Sequence, residues 1–375
     1  MITRIRAANF RSLGDPVDVA LDRFVALVGI NGSGKSNLIE VPRFVAHALR
    51  DGLDAAITSR GGMRGLGRWS AGRPYDVKIT IDVGRPDASS GEFSIVLRRD
   101  DGADGYRVLS EEAIWSPNVL ESHSYRVQEG RWSGPAGLAP RVDAGRLALP
   151  LIAADERFAP LYEELCSVAV YSIFPDVLRQ PQEFDGATPM REHGENWATI
   201  LRELLKKRPL RDGLIAGLAT AVDDISDLRV EAIGGFLSPQ FQHTYGRGDP
   251  GQKQTWFDAS QESDGTLRIA GILTALLQRP SPGLLGIEEP ELTVHPGALP
   301  ILHAYLREAA SHTQAVITTH TPELLDLIEP SAIRVVRRRD GVTTVAQMDP
   351  GQQRLVRDAL TSPGELLRVE GIHAA

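Results

Sequence analysis

The sequence predicts an α/β fold with a mainly parallel central sheet, flanking antiparallel strands and a helical lobe. Three short apolar runs support this prediction, at residues 24–28, 284–287 and 315–318. Uninterrupted apolar runs of this length are typical of strands buried on both faces, as in parallel sheets. The alternating segment 77–83 is instead typical of an antiparallel strand with one buried face. Helices are expected from Lys35 to the late 40s and, with an apolar stripe, from about residue 195.

Composition narrows the class of protein. The chain has 375 residues, 42% of them hydrophobic, and a formal net charge of −8, so a whole-chain basic footprint for nucleic acid is absent. Its single cysteine, Cys166, excludes an intrachain disulfide and a zinc site built on paired cysteines. There is no apolar run near 18 residues and no apolar core of a secretion signal near Met1. We therefore expect a cytoplasmic protein without a membrane span.

Residues 29–36, Gly-Ile-Asn-Gly-Ser-Gly-Lys-Ser, match the phosphate-binding pattern G-x-x-x-x-G-K-[ST] between a buried strand and a helix. Glycines let the backbone wrap around phosphate oxygens, and the helix N-terminus favours their negative charge. Lys35 should contact the β- and γ-phosphates, and Ser36 should bind Mg²⁺. The alternative is a chance glycine-rich turn. The predicted nucleotide-binding residues are Asn31, Gly32, Ser33, Gly34, Lys35, Ser36 and Asn37.

The nucleotide is predicted to be ATP. Guanine-specific proteins usually carry the pattern [NT]-K-x-D, whose aspartate recognises the edge of guanine. None of the lysines in this chain is followed two positions later by aspartate.

The buried run 284–287 leads into Glu288-Glu289-Pro290-Glu291. An acidic residue at the end of such a strand can orient the water shell of Mg²⁺, and we assign this role to Glu288. The next carboxylate, Glu289, stands where a general base could polarise the attacking water. An ordinary acidic corner on the surface is the alternative interpretation.

Two further segments add candidate residues. Ser263-Asp264-Gly265 precedes an apolar helix, and a hydroxyl and bare amides at a helix start can bind an anion. The simpler interpretation of Ser263 is an ordinary helix cap. His320 follows the buried run 315–318 directly, and it is a catalytic candidate whose alternative is a structural histidine.

The order of these four features along the chain resembles that of the ABC-type ATPases. In detail the chain is similar to their SMC, RecF and OLD-like branch, and most to its short ATPases without zinc hook or long coiled coil. The resemblance rests on Asn9-Phe10-Arg11-Ser12, on Asn31-Gly32-Ser33 and on the stretch from Glu288 to His295-Pro296. It covers both ends of the chain and the segment from about 255 to 325.

The resemblance implies a P-loop NTPase of the ABC-ATPase head type that forms a head-to-tail dimer around two Mg-ATP. Ser263 and Gly265 of one head would contact the γ-phosphate held by Lys35 of the other. His320 would contact the same phosphate. His295 falls at the family's D-loop, and Gln180 or Gln182 is a poor match to its switch glutamine.

The resemblance also implies two lobes. Residues 1–170 with 280–375 would form the ATP-binding lobe, and residues 171–279 would form a mostly helical lobe that carries the signature motif. This sequence departs from the pattern at Glu288, where most relatives have aspartate, and at Glu262-Ser263-Asp264-Gly265, which replaces Leu-Ser-Gly-Gly. No acidic cluster follows His320 as in the OLD-type nucleases, so we expect no nuclease activity.

The sequence thus favours an ATPase that acts in DNA repair or anti-phage defence, with DNA or a partner effector protein. An ATP-gated assembly switch with negligible turnover stays open, and a transporter ATPase subunit is a weaker alternative. For DNA, residues 337–339 and the arginine-rich segment 60–73 are candidate phosphate contacts, with solvated surface charge as the alternative.

Overall fold

The computed structural model describes residues 1–14, 16–69, 75–100, 105–186, 188–246 and 253–375. The strands in these ranges are β1 (Ile2–Ala8), β2 (Val17–Ala20), β3 (Phe24–Val28), β4 (Val77–Gly84), β5 (Ser90–Arg99), β6 (Tyr106–Ser116), β7 (His123–Gln128), β8 (Arg131–Ser133), β9 (Val168–Tyr171), β10 (Gln182–Glu183), β11 (Ile225–Ile233), β12 (Phe236–Tyr245), β13 (Lys253–Asp258), β14 (Leu284–Glu288), β15 (Gln314–Thr319), β16 (Ile333–Arg339) and β17 (Val342–Gln347).

The α-helices lie between these strands and after the last of them. They are α1 (Lys35–Arg50), α2 (Leu53–Thr58), α3 (Gly62–Leu66), α4 (Ala159–Cys166), α5 (Pro175–Leu178), α6 (Trp197–Leu205), α7 (Arg208–Ala221), α8 (Asp264–Leu277), α9 (Leu299–Ala309), α10 (Pro322–Leu325), α11 (Pro350–Arg357) and α12 (Pro363–Val369). The predicted α/β class is therefore confirmed.

The chain divides into two compact units. The first comprises residues 1–168, 331–353 and 372–375, and the second comprises residues 169–330 and 354–371. These bounds differ from those of the predicted lobes, because residues 280–330 lie in the second unit. The phosphate-loop segment thus belongs to the first unit, and the Glu288-Glu289 strand end belongs to the second.

The first unit contains an antiparallel sheet in the order β2-β1-β4-β5-β6-β7-β8. Strand β4 has the predicted alternation, since Val77, Ile79, Ile81 and Val83 are all buried. In the same unit β16 pairs in parallel with β3 and antiparallel with β17. All five residues of β3 are buried, as its continuous apolar run predicts.

A buried carboxylate, Glu111 on β6, fastens the 147–152 segment to the antiparallel sheet. Its Oε1 accepts hydrogen bonds from Tyr125 Oη at 2.5 Å and the Leu149 amide at 2.8 Å. Its Oε2 accepts one from the Ala148 amide at 2.6 Å. Burial raises the pKa of Glu111, and these three donors oppose that rise.

Glu111→Gln is expected to destabilise the protein by roughly 1–3 kcal/mol. A glutamine has only one acceptor oxygen, so its amide nitrogen would face a backbone donor inside the core. Urea or thermal unfolding measures the effect. The matched control is Glu112→Gln, one residue along the strand and less buried, which should change stability by less than about 0.5 kcal/mol. Equal stability of both variants would contradict the role of Glu111.

The second unit contains a parallel pair, β14 with β15, and β9 lies beside β14. It also contains an antiparallel sheet in which β12 pairs with β10, β11 and β13. Helix α8 lies among α5, α6, α7 and α9, and residues 266–276 of this helix are all buried. It is therefore the central helix of this unit.

The antiparallel sheet of the second unit differs from the sequence prediction, which made residues 171–279 mostly helical. The apolar residues from Leu214 to Leu228 predict one helix, but α7 ends at Ala221 and β11 begins at Ile225. A stripe of apolar residues alone does not separate the end of a helix from a following strand. The composition of segment 61–74, rich in glycine and arginine, predicts a loop, but the segment contains α3. Its residues 70–74 lie outside the described residues.

Among the described residues, the structure contains no helix with the length and apolar character needed to cross a membrane.

Candidate functional site

The phosphate-loop segment of the first unit has the backbone that the motif predicts. Strand β3 ends at Val28 and helix α1 begins at Lys35. Gly32 and Gly34 have left-handed φ angles of 77° and 101°. A Cβ on Gly34 would also lie 2.3 Å from Thr343 Oγ1, so only glycine fits there. The segment therefore turns its backbone around the N-terminus of α1, where an anion is favoured.

The ammonium of Lys35 is folded back onto the loop. Its Nζ donates to the carbonyls of Gly29 at 2.7 Å and Ile30 at 3.3 Å, and the residue is 6% exposed. Asn31, Gly32 and Ser36 are exposed, whereas Ser33 is buried and its Oγ has no hydrogen-bond partner. A buried hydroxyl without a partner costs free energy, which a bound acceptor would recover.

A chain of hydrogen bonds supports the loop from behind. Asn37 Nδ2 donates to Ser12 Oγ at 2.6 Å, and Ser12 Oγ lies 2.7 Å from Thr343 Oγ1. Thr343 Oγ1 in turn donates to the Ser33 carbonyl at 2.8 Å. Asn37, predicted as a nucleotide-binding residue, thus uses its side-chain nitrogen to position the loop. Sequence reasoning missed Thr343, because this threonine of β17 belongs to none of the sequence motifs and lies more than 300 residues from the loop.

A basic cavity of about 460 Å³ lies beside this chain of hydrogen bonds, within the first unit. Its walls carry three arginines, Arg11, Arg68 and Arg338, and one carboxylate, Asp340. The Nε atoms of Arg11 and Arg68 are buried without hydrogen-bond partners. The cavity can therefore accept a ligand with anionic and hydrogen-bond-accepting groups.

All three residues of the arginine run 337–339, a candidate for DNA contact, are exposed, and two of them also have contacts within the first unit. Arg337 Nη2 donates to the Ile372 carbonyl at 2.8 Å, and Arg338 lines the basic cavity. The side chain of Arg339 is 95% exposed, 3.8 Å from Asp340. The run thus presents three exposed charges, and DNA binding stays a prediction.

In the second unit, β14 ends at Glu288 and Glu289 follows with a left-handed φ of 44°. The Glu289 amide donates to the carbonyl of Thr318 at 3.1 Å and to its Oγ1 at 3.0 Å. A left-handed conformation costs on the order of 1–3 kcal/mol for a residue with a side chain. The surrounding contacts therefore hold Glu289 in a strained position, which is common at functional sites.

Glu289 and His320 are brought together. Glu289 Oε1 lies 3.3 Å from His320 Nδ1, close enough for an ion pair, although the angle is not that of a hydrogen bond. The two side chains are 30% and 37% exposed, so water and ligands can reach them. A carboxylate beside an imidazole can hold and move a proton at this strand end.

Glu291 is a functional candidate that sequence reasoning did not single out. It is buried, and its Oε1 accepts a hydrogen bond from Thr319 Oγ1 at 2.5 Å. Its Oε2 is buried without a partner. The residue thereby ties the segment after β14 to the end of β15.

Ser263 caps α8, as its simpler interpretation predicts. Its Oγ accepts a hydrogen bond from the Thr266 amide at 3.1 Å, and the residue is exposed. A Cβ on Gly265 would lie 2.7 Å from the Thr293 carbonyl, so this close approach requires glycine. Arg179 Nη2 donates to Asp264 Oδ1 at 2.6 Å and partly balances the acid beside Ser263.

The remaining family positions have local roles. His295 is exposed and its Nδ1 accepts a hydrogen bond from the Gly297 amide at 3.1 Å.

Gln182 is buried, with Nε2 donating to the Gly194 carbonyl at 2.7 Å and Oε1 accepting from the Ala198 amide at 2.8 Å. Its amide is fully used in packing, whereas Gln180 is exposed. Of the two glutamines, Gln180 is the one whose side chain can reach a ligand.

Within the described ranges there is no group of three or more histidine, cysteine, aspartate or glutamate side chains that could hold a metal ion. Magnesium is usually bound through one or two protein ligands together with substrate phosphates. Ser36 and Glu288 are each of a type that can serve as such a ligand.

Comparison with known proteins supports the fold. Residues 181–326 match a family profile described as "AAA domain, putative AbiEii toxin, Type IV TA system". A solved SMC head bound to the C-winged helix domain of ScpA is 16% identical, with a TM-score of 0.53 over 94% of this chain and 99% of that chain. An SMC head with an extended coiled coil, from Pyrococcus furiosus and bound to the C-terminal domain of ScpA, is 12% identical. Its TM-score is 0.50, over 96% of this chain and 99% of that chain.

No match to this sequence was found among curated proteins. The structural likeness nevertheless covers nearly the whole chain, and it shows that the chain has the fold of the SMC heads, as the order of the motifs predicted. The family match covers the segment that holds Ser263, Glu288, Glu289 and His320.

Proposed function

We propose that this protein binds Mg-ATP and hydrolyses it to ADP and phosphate. The observation that carries the proposal is the phosphate-loop segment: two left-handed glycines, the N-terminus of α1 and Lys35 are arranged around one anion-binding backbone. Backbone amides and a lysine in this arrangement suit the β- and γ-phosphates of a nucleoside triphosphate. Lys35 would exchange its bonds to the Gly29 and Ile30 carbonyls for bonds to phosphate oxygens.

The basic cavity beside the loop supports a nucleotide rather than inorganic phosphate. Its volume of about 460 Å³ exceeds the needs of a phosphate ion, and the arginines that line it are suited to phosphate and ribose oxygens. We therefore place the nucleoside and its inner phosphate against Arg11, Arg68 and Asn37.

For the chemical step, Glu289 would accept the proton of the attacking water, and His320 would stabilise the charge on the carboxylate and sense the γ-phosphate. Ser36 and Glu288 would hold Mg²⁺, which supplies charge neutralisation at the phosphates. That Lys35 and Glu289 act on the same nucleotide stays a prediction. It follows from the family resemblance and is tested by the substitutions below.

The same resemblance leads us to propose an ATP-dependent head-to-tail homodimer. The exposed cap residue Ser263, the bare backbone at Gly265 and the N-terminus of α8 could contact the γ-phosphate held by a second copy. The solved SMC heads carry ScpA domains, and the family profile names a toxin–antitoxin system. An effector protein in anti-phage defence or DNA repair is therefore the partner class we propose, with DNA as a further ligand.

The test is release of phosphate from ATP by the purified full chain, with Mg²⁺ and with excess EDTA. We expect Mg²⁺-dependent turnover that EDTA abolishes, because the metal neutralises charge on the transferred phosphoryl group. ATP binding and dimerisation without phosphate release would instead support the assembly-switch alternative. Failure to bind ATP at all would overturn the proposal.

A further inference from the structure

Arg268 is a buried cation in the middle of the second unit that the proposed chemistry does not use. It lies on α8, five residues after Ser263, and only 3% of it is exposed. Its Nη1 donates to the Ile173 carbonyl at 2.6 Å. Its Nη2 donates to the carbonyls of Glu289 at 2.9 Å and Glu288 at 3.3 Å. One guanidinium thus holds the carbonyls of two successive residues, Glu288 and Glu289.

We propose that Arg268 is a positioning residue. It fixes the backbone of Glu288 and Glu289 and thereby orients the Glu289 carboxylate toward the attacking water. This inference rests on the proposed hydrolysis of ATP. Arg268 touches no reacting atom in it and acts only through the strand end.

The backbone of Glu289 shows why such a support is needed. Its left-handed φ of 44° is unfavourable for a residue with a side chain. Hydrogen bonds hold both backbone groups of Glu289: Thr318 accepts from its amide, and Arg268 donates to its carbonyl. The Leu292 amide donates to the same carbonyl at 3.1 Å, which closes the turn after β14. Without Arg268, the Glu289 carbonyl would keep the bond from the Leu292 amide and lose the one from the guanidinium, so the strained residue would be held less firmly.

The surroundings of Arg268 also indicate a role in geometry. A buried cation is costly unless it is fully paired, and Arg268 Nε is buried without a hydrogen-bond partner. Its guanidinium contacts carbonyl oxygens. Burial lowers the pKa of Arg268, and the nearby carboxylates of Glu291 and Glu289 only partly oppose that fall. A fork of donors with fixed spacing can hold two carbonyls at once, which the single ammonium of lysine does less well.

The experiment compares wild type with Arg268→Met, which keeps the length of the side chain without its donors, and with Arg268→Lys. The first readout is hydrogen exchange of the 288–292 segment in the nucleotide-free protein, which does not depend on catalysis. We expect roughly ten-fold faster exchange in Arg268→Met, an intermediate change in Arg268→Lys, and no change in β11 and β12. Arg279→Met is the matched control, because Arg279 is exposed and its contacts, such as those to the Gln278 carbonyl and His312 Nε2, do not involve the 288–292 segment.

The second readout is the kinetics of ATP hydrolysis. Arg268→Met should lower kcat roughly ten- to hundred-fold while KM for ATP changes less than about two-fold, because a displaced base affects the chemical step. Combined with Glu289→Asp, it should cost less than the product of the two single effects, since both substitutions displace the same carboxylate. Arg279→Met should leave both constants unchanged.

The outcomes separate the two proposals. If wild type releases no phosphate, the proposed function fails, and the exchange data alone decide whether Arg268 holds the strand end. Unchanged exchange in a folded Arg268→Met, or strictly multiplicative kinetics with Glu289→Asp, would overturn the positioning role. Should Arg268→Met not fold, Arg268→Lys decides, and wild-type exchange together with wild-type kcat in that variant would overturn it as well.

Discussion

Lys35→Ala is expected to weaken ATP binding by at least roughly 100-fold, the loss expected when charge-assisted hydrogen bonds to phosphate are removed. In the structure the Lys35 ammonium already lies over the loop, 2.7 Å from the Gly29 carbonyl. No other lysine belongs to the loop. Titration with a fluorescent ATP analogue or by calorimetry measures the loss.

The control for this substitution is Lys78→Ala. Lys78 is an exposed lysine of β4 in the same unit, and its removal should leave ATP affinity unchanged. Circular dichroism and thermal unfolding should show that Lys35→Ala stays folded. Wild-type affinity of a folded Lys35→Ala protein would refute the assignment of residues 29–36 as a phosphate-binding loop.

Glu289→Gln is expected to lower the rate of phosphate release by roughly 100- to 10,000-fold and to leave ATP binding nearly unchanged. Glutamine keeps the shape of the side chain but cannot accept the proton of the attacking water. Single-turnover hydrolysis measures the chemical step directly. Glu308→Gln, which neutralises an exposed carboxylate of α9, should retain wild-type turnover. A Glu289→Gln protein with wild-type turnover would remove the general base from the proposal.

The same variant tests the dimer, because ATP that is bound but not hydrolysed should hold two heads together. With ATP and Mg²⁺, light scattering should give about twice the 40.8 kDa of one chain. Adding Ser263→Ala to Glu289→Gln should return the protein to the monomer mass. A Glu289→Gln protein that is monomeric with saturating ATP would argue against a contact of Ser263 with the nucleotide of a second copy.

The parts of this protein that the sequence predicted well are local. The boundary between β3, the phosphate loop and α1 follows from an apolar run, glycines at fixed spacing and a polar helix start. Ser263 caps α8 because a hydroxyl before a helix binds the free amides of its first turn, here that of Thr266. Such features involve residues close in sequence, so pattern and spacing are sufficient to find them.

Other features were missed because they depend on residues far apart in the chain. Thr343 completes the support of the phosphate loop across a separation of 331 residues from Ser12. The antiparallel sheet of β10–β13 was predicted as part of a helical lobe, because pairing between strands leaves only a weak pattern in any one of them.

By itself, the sequence determined the α/β class, the phosphate-loop motif, the buried strand that ends at Glu288 and the histidine after β15. Only the tertiary structure decided that Glu289 is left-handed, that His320 lies beside it and that Arg268 holds its carbonyl. The physical reason is that residue type and spacing fix local conformation. The direction of a carboxylate, in contrast, is set by packing and hydrogen bonds from segments that folding brings together.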